Sequence, residues 1–235
     1  MRLKYSVDRM RCIPQLASPW KSPAHLESLA RYSKVLGRFY TAIRKISDSR
    51  VIIDSSKVPS YAYTLANLPD IDLRVVVHLV RDSRAVAYSW LRKKVNYEVG
   101  GEKIHMDQHG PVNSSLGWMR SNSLIEPLRF LTAARYMRAR YEDLVNEPRE
   151  TLVRILTLLS ENDVKLPLTD DRTVVELKVD HTVAGNPMRF RRGTVELCLD
   201  EEWKKGMKRT DRRITTALTW PLLLKYGYLI EKKLG

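Results

Sequence analysis

The sequence predicts an α/β fold built on a parallel sheet, in one domain spanning residues 1–235. Three observations predict it. The run at 73–81, "LRVVVHLVR", is continuously apolar, as strands buried on both faces of a parallel sheet are. Further extended runs, "RVIIDSSK" at 50–57 and "RYMRARYEDL" at 135–144, alternate with helical stretches, the order that gives a helix-covered parallel sheet. Finally, 235 residues with 43% hydrophobic side chains are enough for a sizeable core.

The elements follow in order. Residues 1–21, with Pro14 and Pro19, read as irregular. Ser22-Pro23 opens a helix, because Ser is a good N-cap and Pro a good first residue. Leu26, Leu29, Leu36, Phe39, Tyr40, Ile43 and Ile46 supply its apolar stripe. After the strand at 50–57, residues 60–68 form a short helix stopped by Pro69. The strand at 73–81 runs into a helix over 83–94. The polar, glycine-containing stretch 96–115 reads as a long loop of the kind that forms functional lids. A helix over 115–131 breaks near Pro127, and the strand at 135–144 leads into an amphipathic helix over 147–162. "EWKKGM" and "DRRITTALTWPLLLKYGYL" give C-terminal helices.

The net charge is +14 and the pI about 9.8, which favours an anionic partner. Nucleic acid, a membrane surface and a phosphorylated or sulfated small molecule all satisfy that. No nucleic-acid reading motif accompanies the charge. Cys12 and Cys198 form neither a CxxC pair nor a zinc spacing and read as two buried thiols in a reducing compartment. No apolar run approaches the ~20 residues of a membrane span, and the first twenty residues lack a long apolar signal core. The expectation is a cytoplasmic chain with no membrane span. His105 and His109 flank Asp107 without a third convincing ligand, so no metal is expected. GxSxG, HExxH, GxGxxG and GxxxxGK[ST] are all absent.

In parallel α/β sheets, ligands bind at the carboxyl ends of the strands. Here those ends are Asp54-Ser55-Ser56-Lys57, Arg81-Asp82-Ser83 and Tyr141-Glu142-Asp143. In "RDSRAVAYS" Ser83 can cap a helix whose first amides favour an anion. Ser89 follows Arg81 by two helical turns, so both can hold one phosphate. The bland alternative is an ordinary cap with solvated arginines. Lys57 can neutralise a leaving oxygen or phosphate, or it is a surface lysine in a turn. Asp54 is a candidate general base, or the partner of a nearby cation. "HTVAGNPMRFRRG" at 181–193 gathers Arg189, Arg191 and Arg192 beside Gly193, which lets backbone approach an anion closely. Tyr141 can stack on a base or pack in the core.

The order of these motifs, "DSSK…LVRDSRAVAYSW…RYEDL…HTVAGNPMRFRRG…W", resembles the sulfotransferases that use 3′-phosphoadenosine 5′-phosphosulfate (PAPS). The closest likeness is to bacterial, carbohydrate-type members, and it covers residues 20–230. The resemblance implies a three-layer fold similar to P-loop NTPases. It implies PAPS as co-substrate and a hydroxyl acceptor on a carbohydrate, lipid or small molecule. By matching position, Arg81 and Ser89 would hold the donor's 3′-phosphate. Arg191, Arg192 and Gly193 would close over that phosphate, and Tyr141 would contact the adenine. Lys57, about two dozen residues before Arg81, would stand at the sulfuryl-transfer centre. Trp118 and Asn122, one helical turn apart, would line the acceptor pocket.

One departure is large. The family's first strand ends in a loop like "RSGST" that wraps the 5′-phosphosulfate, and no such loop occurs here. The expectation is therefore an N-terminally truncated domain lacking its first, central strand. That would leave a gap between the strand ending at Arg81 and the one ending near Tyr141. The alternative is a catalytically inactive, sulfotransferase-like protein that binds an anion or nucleotide.

Overall fold

The structure, a computed structural model, describes residues 7–92, 95–97, 103–105, 107–161, 163–169, 174–177 and 193–230. After a 3₁₀ turn at Met10–Cys12 come α1 (Ile13–Ala17), α2 (Pro23–Ser47) and α3 (Pro59–Ala66). Then follow β1 (Val75–Val80), α4 (Ser83–Leu91), β2 (Val95–Tyr97), β3 (Lys103–His105), α5 (Pro111–Ile125) and α6 (Leu128–Leu131). The chain continues through β4 (Arg135–Arg140), α7 (Tyr141–Asn146), α8 (Pro148–Leu159), β5 (Val174–Leu177) and β6 (Gly193–Glu196). It closes with α9 (Glu202–Gly206) and α10 (Arg209–Lys225).

The architecture is mixed α/β. β1 and β4 form a two-stranded parallel sheet. β2 pairs antiparallel with β3, Val95 opposite His105, and β5 pairs antiparallel with β6, Val174 opposite Glu196. The chain clusters into two compact units. One holds residues up to 78 together with 121–137, the other 79–120 together with 138 onward.

In the first unit, α2 starts where Ser22 accepts a hydrogen bond from the His25 amide at 3.3 Å, and Pro23 takes the first turn. It ends at Asp48 in the left-handed conformation, φ 49°. Its inner face buries Leu29, Tyr32 and Leu36 with Ile13, Leu16, Tyr63, Leu68, Ile125 and Leu128. Its outer face leaves Val35, Phe39 and Ile46 exposed. A polar contact threads this core: Ser60 donates to Asp8 at 2.7 Å.

The second unit has two smaller cores. Val80, Trp118, Leu222 and Tyr226 form one; Ala85, Ala87, Trp203 and Met207 form the other. Tyr88 packs on the latter, and a Cβ added to Gly206 would sit 2.2 Å from its hydroxyl oxygen. α8 begins with Pro148 and ends at Ser160 with φ 60°.

Several expectations need correction. Residues 50–57 form no strand: Asp54 accepts from the Ser56 amide at 2.8 Å in a tight turn, and Ile53 is 87% exposed. β-Branched residues favour a strand only where a neighbouring strand and a core receive them. The expected gap in the sheet is closed, because β1 and β4 are hydrogen-bonded neighbours. β4 ends at Arg140, where Tyr141 turns the chain into α7. The stretch 96–115 contains β3 and the first turn of α5, and residues 13–17 are helical. The β5–β6 hairpin had no expectation attached to it.

Candidate anion-binding site

The site lies in the second unit, where β1 hands over to α4. Val80 is buried, and the Tyr228 hydroxyl lies 3.1 Å from its carbonyl oxygen. The Trp118 indole donates to the Arg81 carbonyl at 3.0 Å. With backbone pinned on both sides, Arg81 leaves the strand end in a defined direction. Its guanidinium lies over the Tyr141 ring, 4.8 Å from the centroid. Its Nη2 donates to Asp200 Oδ2 at 2.9 Å and reaches the Asp200 carbonyl at 3.3 Å.

A second cation joins from the far end of α4. Arg92 Nη2 lies 3.5 Å from the same Asp200 oxygen, and Arg92 also pairs with Glu202. Its guanidinium sits over Tyr88, 5.2 Å from the centroid. Two arginines thus converge on one carboxylate, each backed by an aromatic ring. Both Nε atoms, of Arg81 and Arg92, are buried and have no hydrogen-bond partner among the described residues. Burial pushes the Asp200 carboxyl up, but the hydrogen bond and charge of Arg81 outweigh it and hold the group below its ordinary value.

The start of α4 differs from the expectation. Asp82, not Ser83, is the N-cap, accepting from the Arg84 amide at 2.8 Å. Its carboxylate therefore already occupies the anion-favouring end of the helix. Arg84 grips the same carboxylate with Nε at 2.9 Å and Nη2 at 2.6 Å, and lies over Trp203 at 4.8 Å. Ser83 is buried, its hydroxyl 2.7 Å from that of Thr219. Arg84 is likewise no solvated arginine: its side chain is 12% exposed.

Of the residues singled out in the sequence, Arg81 and Tyr141 are in contact. Ser89 is half-buried on α4, one turn before Arg92 and on the same side of the helix. Gly193 begins β6 with φ 82°, a left-handed conformation that suits glycine. Arg189, Arg191 and Arg192 lie outside the described residues. Trp118 is buried, its ring 5.9 Å from that of Tyr226.

Lys57, Asp54 and Asn122 belong to the first unit. Lys57 is exposed on the segment leading into α3. Asp54 accepts from the Tyr40 hydroxyl, which is itself 2.8 Å from the Tyr61 hydroxyl. Burial raises the Asp54 pKa, and hydrogen bonds from Ser56 and Tyr40 more than offset it, so the carboxyl stays below its ordinary value. Burial and the bond to Asp54 push the Tyr40 hydroxyl well above its ordinary value. Asn122 is buried, its Oδ1 2.7 Å from His78 Nε2, and His78 Nδ1 is 2.6 Å from the Tyr136 hydroxyl.

Asp200 and Arg92 were not singled out in the sequence. The one available signal was the acidic run Asp200-Glu201-Glu202, seven residues after the basic cluster ends at Gly193. Among the described residues, no helix is long and apolar enough to cross a membrane, and no group of three or more His, Cys, Asp or Glu could hold a metal ion. No family model, curated protein or solved structure matches the chain.

Proposed function

We propose that this chain binds PAPS and is a sulfotransferase acting on a hydroxyl of a carbohydrate, lipid or small-molecule acceptor. The observation that carries the reading is the convergence of Arg81 and Arg92 on one carboxylate beside the Tyr141 ring. A carboxylate held by two guanidiniums marks a place where an oxyanion is stable, and two buried Nε donors remain to be used. A 3′-phosphate would take the Asp200 position, with Tyr141 beside the adenine and Ser89 on the facing side of α4. Arg191, Arg192 and Gly193 would close over it.

Sulfuryl transfer is chemically similar to phosphoryl transfer. The acceptor oxygen forms a bond to sulfur, and the bond from sulfur to the bridging phosphate oxygen breaks in line. The electron pair leaves with the nucleotide as adenosine 3′,5′-bisphosphate, and the acceptor proton passes to a base. In this reading Lys57 stabilises charge on the leaving oxygen and Asp54 is the base. Asp54 is ionised and free of a proton, but the hydrogen bonds from Ser56 and Tyr40 that hold its pKa low also make it a weaker base.

Titration with adenosine 3′,5′-bisphosphate tests the binding. Arg81→Ala is expected to weaken it at least tenfold, and unchanged affinity rules out the assigned role. Labelled PAPS with a panel of sugar and lipid alcohols tests the transfer. A second reading, an inactive nucleotide-binding protein with the same fold, is favoured by the direct β1–β4 pairing, which occupies the place expected for a loop-bearing strand. Tight bisphosphate binding with no transfer to any acceptor would select it.

A further inference from the structure

The outer face of α2 carries an apolar row beside a cationic one. Val35, Phe39, Ala42 and Ile46 follow one another at spacings of four, three and four residues, so they form one stripe along the helix. Val35 is 54% exposed, Phe39 52% and Ile46 87%, and Ala42 is exposed as well. Single apolar side chains on a surface are ordinary, but a contiguous row marks a face that something else covers. One edge of the row adjoins the stripe of Leu29, Tyr32 and Leu36 that packs into the core.

The other edge is cationic. Arg31 stands four residues before Val35, Arg38 three after it and four before Ala42, and Lys45 three after Ala42. Each is therefore a neighbour of the apolar row on the helix surface. Lys34 continues the cationic row between Arg31 and Arg38, and all four residues are exposed. Across Pro23–Ser47 five Lys and Arg residues stand against a single acidic one, Glu27.

This pairing of rows selects the partner. A nucleic-acid backbone would take the cations and leave Phe39 and Ile46 in water. A second copy of the chain would offer the same face, with no acidic row to meet the cations. An anionic lipid leaflet takes both rows at once. Its headgroups receive the charged ends of long Lys and Arg stems, and its acyl chains receive the apolar side chains. We propose that α2 lies flat on an anionic bilayer surface, with Phe39 and Ile46 just below the headgroups and Arg31, Lys34, Arg38 and Lys45 among them. The contact uses no residue of the Arg81 site, so the two readings fail independently.

Co-flotation of the full chain with vesicles of equimolar phosphatidylcholine and phosphatidylserine tests it, with pure phosphatidylcholine vesicles alongside. The chain is expected to float with the anionic vesicles, to stay behind with the neutral ones, and to be released as salt is raised. Phe39→Ser/Ile46→Ser is expected to weaken binding at least about tenfold, because two exposed apolar side chains no longer enter the lipid. Ala42→Glu sets a carboxylate in the middle of the row, keeps a good helix former at an exposed position, and is expected to do the same. Absence of binding to the anionic vesicles overturns the proposal. So does binding that survives both variants, since the net charge of +14 would then act without this face. Sedimentation velocity without lipid supplies the last arm: a dimer that both variants dissociate would assign the face to a second copy and overturn the proposal.

Discussion

Arg81 and Asp200 are 119 residues apart in sequence and form an ion pair at 2.9 Å. The pair joins the end of β1 to the segment after β6. It holds the Arg81 guanidinium of the candidate site against a carboxylate of the same chain. In the proposed reading, an incoming anion would displace Asp200 before it gains Arg81.

This competition predicts that Asp200→Asn raises affinity for adenosine 3′,5′-bisphosphate. The two side chains are 24% and 31% exposed, so the pair contributes at most about 1 kcal/mol. That corresponds to an affinity gain of up to about fivefold. Calorimetry on the two proteins checks it, and a loss of affinity would show that Asp200 assists the ligand.

The same carboxyl predicts a pH dependence of stability. Its folded pKa is depressed below the ordinary 3.8. The pair's contribution is therefore complete above that value and disappears as pH falls through the lower folded pKa. Urea unfolding is expected to show wild type more stable than Asp200→Asn at pH 6, with the difference closing below about pH 3.8. A difference that stays constant into acid would place the effect outside this titration.

Asp82 carries two duties, as N-cap and as partner of Arg84, and only the second needs a charge. Both side chains are largely buried, 7% and 12% exposed. Asp82→Ala removes cap and partner and is expected to cost about 3–5 kcal/mol. Asp82→Asn keeps an acceptor for the Arg84 amide and is expected to cost less. Chemical denaturation of the two variants separates cap from charge.

Gly206 is a packing glycine. A methyl there would sit 2.2 Å from the Tyr88 hydroxyl oxygen and 2.8 Å from the ring carbon bearing it. Gly206→Ala is expected to destabilise by about 1–3 kcal/mol through overpacking. In a Tyr88→Ala background the same substitution is expected to be nearly neutral. Thermal unfolding of the four proteins completes the cycle.

The sequence made the β1–α4 junction legible, because a continuous apolar run followed by polar residues has few other readings. It did not separate Asp82 from Ser83 as the cap, since both side chains can accept from a helix amide. The choice came from Thr219, which takes the Ser83 hydroxyl from 136 residues away. Tyr141 was legible as a residue at a strand end, and it lies beside Arg81. Asp200 was not, because its meaning depends on Arg81 and on no local pattern. "RVIIDSSK" misled for a related reason: it has strand composition, and Ile53 is exposed all the same.

The two strands of the parallel sheet are unequally protected against recruitment of foreign chains. β4 carries Arg135, Arg138 and Arg140, and charges on a strand discourage intermolecular pairing. β1, "VVVHLV", carries no Asp, Glu, Lys or Arg, and it exposes Val77 and Leu79. Any partial loosening of the fold offers β1 as the template for aggregation, and a lysine at Val77 is the simplest gatekeeper.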